Sequence, residues 1–319
     1  MKKALIIAAV VLGVACASLF LAALIHAGFD FSKLGKAKYE TNTYTLKEGF
    51  DAIEINATEA DVTFKPSNDG AAEVECIEQE KARHEVLVEN GTLKISVRDE
   101  RSWLDRLLVF STKSQSITVC LPEDHYRALL IDIRTGDVSV PDRFSFDAAA
   151  ITASTGDVVF DASADGGLKI KTSTGDITLN GTRADSIDLS VSTGRIEGRN
   201  VDCIETLSIK VSTGKTVLTD VSCRSLTSTG TTGDITLKNV AATDEFNIDR
   251  DTGDVRFERC DAGQITVKTT TGDVTGTLSS EKVFSTQTST GSVKVPKTAS
   301  GGICEITTST GKIQIDIAE

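Results

Sequence analysis

The chain has 319 residues, a formal net charge of −12 and only 5% aromatic residues. That charge argues against nucleic acid, whose phosphates it would repel. A single methionine among abundant Thr, Ser, Asp, Gly, Val and Ile argues against a core of large side chains and for thin stacked layers.

Ala4 to Phe29 carries no formally charged residue. A helix of that length exceeds the ~30 Å hydrocarbon core and outruns the roughly 7–15-residue apolar stretch of a cleaved signal peptide. Residues 1–29 are therefore expected to form an N-terminal transmembrane anchor, with Cys16 packed inside it. Lys2 and Lys3 precede the span and Lys33, Lys36 and Lys38 follow it, so the positive-inside count is nearly balanced. The very short N-terminal flank and the acidic, Thr/Ser-rich remainder favour a single-pass protein of the cell membrane with an extracytoplasmic C-terminal body. Residues 30–43 read as a polar juxtamembrane spacer.

Residues 44–134 read as a β-rich capping region with a degenerate repeat. Ile53, Ile55, Val62 and Phe64 have the spacing of the coils described below, with Ala60 in the place of their glycine. Val86 and Val88, then Asn90-Gly91, then Leu93, Ile95 and Val97 spell a β-hairpin. The run from Arg101 to Phe110, which holds the sole Trp, Trp103, reads as an apolar insertion that covers the cap. Its alternatives are the lipid interface or a partner protein.

Residues 135–319 are a repeat. Thr-Gly occurs with glycine at 136, 156, 175, 194, 214, 233, 253, 272, 291 and 311, at intervals of 19 or 20 residues. Val, Ile, Leu and Phe recur seven and five residues before that glycine and two and four residues after it; Ala149, Cys304, Gly198 and Gly276 are small exceptions, and Thr216, Ser228 and Thr286 are polar ones. Two period-2 strands joined across a Ser-Thr-Gly-Asp step predict an all-β, parallel β-solenoid, with glycine at a corner that needs positive φ. No second fixed Gly or Asn is evident to turn each unit into a hairpin. The length variation falls between nine residues after one glycine and eight before the next. Ten coils at the ~4.8 Å strand spacing make a rod on the order of 50 Å long. The last coil, Thr310 to Ile315, is expected to be the exposed C-terminal end, blunted by Asp316 and Glu319.

Cys76, Cys120, Cys203, Cys223, Cys260 and Cys304 lie outside the apolar segment, and no CxxC pair exists. With His26, His84 and His125 scattered along the chain, spacing does not indicate zinc. Cys203, Cys223, Cys260 and Cys304 fall in apolar columns and read as small buried residues. A Cys203–Cys223 bridge between adjacent coils is disfavoured by in-register stacking.

Ile117-Thr118-Val119-Cys120-Leu121-Pro122 leading into Ser-Thr-Gly-Asp-Ile/Val-x-Leu units resembles a bacterial "putative adhesin" family, a domain of unknown function, over residues 45–319. The resemblance implies an N-terminal membrane span, a short spacer and a repeat β-solenoid, and carries no activity.

Asp137, Asp157, Asp176, Asp234, Asp254 and Asp273 follow the corner glycine in two runs of three, separated by Arg195 and Lys215. They read either as a Ca²⁺ track or, preferably, as carboxylates bonding the turn backbone; the Gly-Gly-x-Gly-x-Asp pattern of calcium β-rolls is absent. The threonine column before the glycine could order water, but serves equally as a soluble β surface. Residues 135–319 contain no His, Trp or Tyr, which weakens enzymatic and carbohydrate-stacking readings. No catalytic, cofactor-binding or metal-ligating residue is singled out, and no cofactor is implied. The expectation is a non-enzymatic adhesion or protein-interaction scaffold, docking a protein or cell-envelope partner and held to the membrane by its N-terminal helix. The alternatives are an accessory or sensor protein of an envelope-stress or membrane complex and, more remotely, a polysaccharide-active solenoid.

Overall fold

A computed structural model of the protein describes residues 38–101 and 115–318, together with Ser18 and Ala22, both helical. Among the described residues, no helix is long and apolar enough to cross a membrane. The expected anchor over 1–29, Cys16 and all but Arg101 of the Trp103 insertion lie outside the described residues, Ser18 and Ala22 apart.

The first strands in chain order are β1 (Tyr39–Leu46), β2 (Ala52–Glu59), β3 (Asp61–Pro66), β4 (Ala72–Gln79), β5 (Ala82–Glu89), β6 (Thr92–Asp99), β7 (Ser116–Leu121), β8 (His125–Thr135) and β9 (Val138–Val140). The central coils follow as β10 (Ser145–Thr155), β11 (Val158–Phe160), β12 (Ser163–Thr174), β13 (Ile177–Asn180), β14 (Arg183–Thr193), β15 (Ile196–Thr213), β16 (Thr216–Thr232), β17 (Ile235–Thr252) and β18 (Val255–Thr271). The chain closes with β19 (Val274–Leu278), β20 (Lys282–Thr290), β21 (Val293–Lys294), β22 (Gly302–Thr310) and β23 (Ile313–Ile317).

The molecule is the expected all-β parallel solenoid. Equivalent residues stack in register: Leu207 on Leu226 on Phe246 on Ile265 before the corner, and Ile235 on Val255 on Val274 after it. These side chains are buried in one continuous apolar core. The register shifts between coils fall where the length variation predicts, for example between Cys203 and Thr206.

Both requirements for glycine meet at Gly233. Its φ is +130°, and a Cβ built there would lie 1.7 Å from the carbonyl oxygen of Gly214 in the coil below. The corner therefore demands positive φ and also a backbone-to-backbone approach that no side chain permits.

Four features depart from the sequence reading. Residues 39–43, expected within the spacer, belong to β1, which pairs antiparallel with β4; Asn42, Tyr44 and Leu46 alternate inward over the end of the rod. A second corner does recur, six residues after the glycine, where Gly181, Asn200, Asp220, Asn239 and Arg259 all have φ between +50° and +68°. It bends a coil rather than reversing it, so mixed residue types fill it, and Asp220, Asn239 and Arg259 link across coils through Asn239 Nδ2 to Asp220 Oδ1 (2.8 Å) and Arg259 Nε to Asn239 Oδ1 (3.0 Å).

The third departure is at the N-terminal end. The Asn90-Gly91 hairpin pairs β5 with β6 as expected, but the β2–β3 coil is not terminal. β2 lies between β6 and β8, and β3 between β7 and β9. Antiparallel β5 and β4 then cover β6 and β7.

The fourth is at the C-terminal end. The last coil, β22–β23, is not exposed: β22 pairs with both β18 and β20, and β23 with both β19 and β21. The β20–β21 coil is outermost, and the chain skips one layer to build it before turning back. Polarity explains the order. β22–β23 brings Ile306, Ile313 and Ile315 to the core, all fully buried. The outer coil has Thr286 in the column that Ile306 fills and leaves Val293 exposed. The layer with less to bury takes the solvent end. Pro296 and Gly301-Gly302 mark the return.

Candidate functional site

The Thr-Gly-Asp corner forms an exposed edge along the rod. Every corner glycine but Gly291, which lies in the outermost coil, donates its N–H to the threonine carbonyl of a neighbouring coil, as from Gly214 to Thr232 at 2.8 Å. The threonines before the glycine are in register, Thr213 on Thr232 on Thr252 on Thr271. The aspartates accept hydrogen bonds from backbone, but from the next coil rather than their own turn. Asp137 Oδ1 accepts from Asp157 N (2.8 Å), Asp157 from Asp176 N (2.8 Å) and Asp176 from Arg195 N (2.7 Å). The second run repeats this, ending with Lys312 N on Asp273 Oδ1 at 2.9 Å. Lys215 and Lys312 lie 3.5 Å from the outer carboxylate oxygens at its two ends. One oxygen of each aspartate is thus spent on inter-coil bonding, and lysines bracket the second run. The ladder's observed bonding is to the coil backbone.

Inside the rod, the exceptions Thr216 and Ser228 converge on Arg250, whose residue is 1% exposed. Its Nη2 donates to Ser228 Oγ at 2.8 Å and Thr216 Oγ1 at 3.3 Å. Gly230 makes room, since a Cβ there would lie 1.8 Å from Arg250 Nη1. Nε and Nη1 have no partner, and burial pushes the guanidinium below its ordinary pKa.

A second buried polar cluster lies in the N-terminal cap. Cys76 and Glu78 point inward from β4 and His84 from β5, all three buried. Glu78 Oε2 lies 2.8 Å from His84 Nδ1 and also accepts the His84 backbone N–H. Glu78 Oε1 accepts from Asn42 Nδ2 at 2.6 Å. The Tyr44 hydroxyl donates to the His84 carbonyl at 3.1 Å. His84 Nε2 is buried with no partner. One ligand atom from each of Cys76, Glu78 and His84 lies within 4.8 Å of the other two. Sequence spacing missed this set. Cys76 and Glu78 at i and i+2 share a strand face, but His84 joins them only because β5 leaves β4 after the single Gln79–Ala82 pair.

The six cysteines of the described residues are free thiols. Cys203 and Cys223 are register partners but unbridged, and burial pushes them up to about 11 and about 12. His125 is exposed at the rod surface, 2.6 Å from Asp147 Oδ1. An open cleft beside β3 and β4 is lined by Pro66, Ser67, Asp69 and Cys120 among others, with no aromatic side chain.

The family model described as Toastrack DUF4097 matches residues 50–215 and 199–319. No curated protein matches the sequence. Similar solved structures include a putative lipid binding protein from Parabacteroides distasonis ATCC 8503, at TM-score 0.50 and 17% identity, covering 76% of this chain and 98% of that one. A putative adhesin from Parabacteroides merdae ATCC 43184 is similar at TM-score 0.48 and 14% identity, covering 76% of this chain and 97% of its own. Another from Parabacteroides distasonis ATCC 8503 reaches TM-score 0.47 and 14% identity, with 88% and 98% covered. Matched from residue 50 through residue 319, the chain belongs to the Toastrack DUF4097 family.

Proposed function

We propose that the protein is a non-enzymatic adhesion or protein-interaction scaffold, displayed on the extracytoplasmic side of the membrane by its N-terminal apolar segment. The observation that supports this is the rod itself. Its exposed edge repeats one small step, Thr-Gly, in register over many coils, with Asp after it in six of ten, and its carboxylates are bound to backbone rather than gathered round a reacting centre. A repeated rigid edge of this kind suits docking of an extended protein or envelope polymer, where many weak contacts add along the stack.

The test is site-specific photocrosslinking from Thr213 and Thr252 of the full-length chain in intact cells. The expected result is a discrete adduct with an envelope protein or polymer, lost when cells are treated with external protease. A body protected from that protease in spheroplasts, or glycan turnover by the purified chain, would refute the reading.

A further inference from the structure

We propose that Cys76, Glu78 and His84 form a binding site for a divalent transition-metal ion of the zinc class, placed in the cap at the N-terminal end of the rod. Three observations converge. The donors are a thiol, a carboxylate and an imidazole, the mixed sulfur, oxygen and nitrogen set that borderline divalent ions take and that calcium or magnesium do not. They lie within 4.8 Å of one another, and an ion there would take the place of the hydrogen bond between Glu78 Oε2 and His84 Nδ1, with side-chain movements on the order of 1 Å giving the roughly 3.5 Å separations of a zinc coordination shell. His84 Nε2 is fully enclosed and unbonded, an open donor or acceptor that a buried structural pair alone leaves unexplained.

Charge balance is consistent with the same reading: a divalent ion binding there displaces the thiol proton to solvent, and thiolate plus carboxylate then cancel its two charges. Asn42 on Glu78 Oε1 would hold the carboxylate from outside, the usual role of an outer hydrogen bond at a metal centre. The ion would tie β4 to β5, which share a single register pair, and so fasten the cap that closes the rod. The exposed aspartate ladder lacks these features, because it offers neither thiol nor imidazole and its carboxylates face solvent.

The full-length chain, stripped with chelator under reducing conditions, would be titrated with zinc and with cobalt. One equivalent should bind, and cobalt should produce a near-ultraviolet thiolate charge-transfer band. Cys76→Ser should remove the band and weaken zinc binding by about 100-fold or more, while Cys260→Ala leaves both intact. Because Cys76→Ser alters a buried position, the wild-type chain provides a separate measure: its thermal midpoint should rise with zinc and not with calcium or magnesium. A midpoint indifferent to zinc, or a cobalt band that survives in Cys76→Ser, would overturn the proposal.

Discussion

The backbone N–H of Gly272 donates to the carbonyl oxygen of Thr310 at 2.9 Å, although Thr290 is the next threonine of the series along the chain. Gly311 in turn donates to Thr290 at 2.9 Å. The last coil is thereby clamped between two earlier ones, so the rod's end is completed only when the final residues arrive.

Truncation after Lys297 should consequently leave β20–β21 with no layer beneath it. Removal of residues 280–298 instead joins the last coil directly to β18–β19 at a 20-residue spacing from Gly272 to Gly311. Urea unfolding should show the truncated chain clearly less stable than the internal deletion, and hydrogen exchange should find Lys282–Thr290 unprotected in the truncated chain. Equal midpoints would contradict the clamped order.

Gly233→Val should be among the most damaging single changes in the rod. It forces a β-branched residue into φ of +130° and drives a Cβ to 1.7 Å from the Gly214 carbonyl, for about 3 kcal/mol or more. Asp234→Asn keeps an Oδ1 that accepts the Asp254 N–H, bonded at 3.1 Å, and loses only an exposed contact with Lys215. Its cost should stay within about 1 kcal/mol in the same urea series.

Arg250→Met should leave the chain as stable as the parent or more so, by about 1 kcal/mol. The guanidinium has Nε and Nη1 unsatisfied, while an apolar chain of similar length would fill the space over Gly230. Arg250→Ala should destabilise, because it empties that space. A strongly destabilised Arg250→Met would show that the bonds to Ser228 and Thr216 outweigh the cost of burial.

Alkaline stability should decline from about pH 9 upward. Burial pushes Cys223 and Cys304 up to about 12, and burial with Glu78 does the same for Cys76, each from 9.0. The folded state holds these protons more tightly than the unfolded chain. Their contribution is therefore complete below pH 9 and lost as pH rises toward 12. Urea midpoints at pH 8 and pH 10 should differ, and Cys223→Val should shrink the difference. In native protein at pH 8, a maleimide should modify half-exposed Cys120 before any of these three.

How far the residues alone lead is clear from particular columns. Gly136 through Gly311, with Val or Ile two residues on in every coil but that of Thr216, prescribe coil length, inward faces and corner, because parallel in-register stacking repeats one local rule. Asn90-Gly91 likewise specifies its hairpin without reference to the rest of the chain. The second corner at Gly181, Asn200, Asp220, Asn239 and Arg259 is not legible in the sequence, since a gentle bend tolerates four residue types and leaves no invariant residue to find.

Layer order belongs to the tertiary structure. Equivalent columns let any coil pair with any other, so nothing local distinguishes Thr271 on Thr310 from Thr271 on Thr290. What decides is comparative burial: Ile306 and Ile315 gain more from an interior layer than Thr286 and Val295 do. The buried clusters have the same origin. Arg250 meets Thr216 and Ser228 across three coils, and Cys76 and Glu78 meet His84 across a turn that ends their pairing. Periodicity prescribes each coil of this protein, whereas competition among nearly equivalent coils for a finite core sets their order and brings the exceptional side chains together.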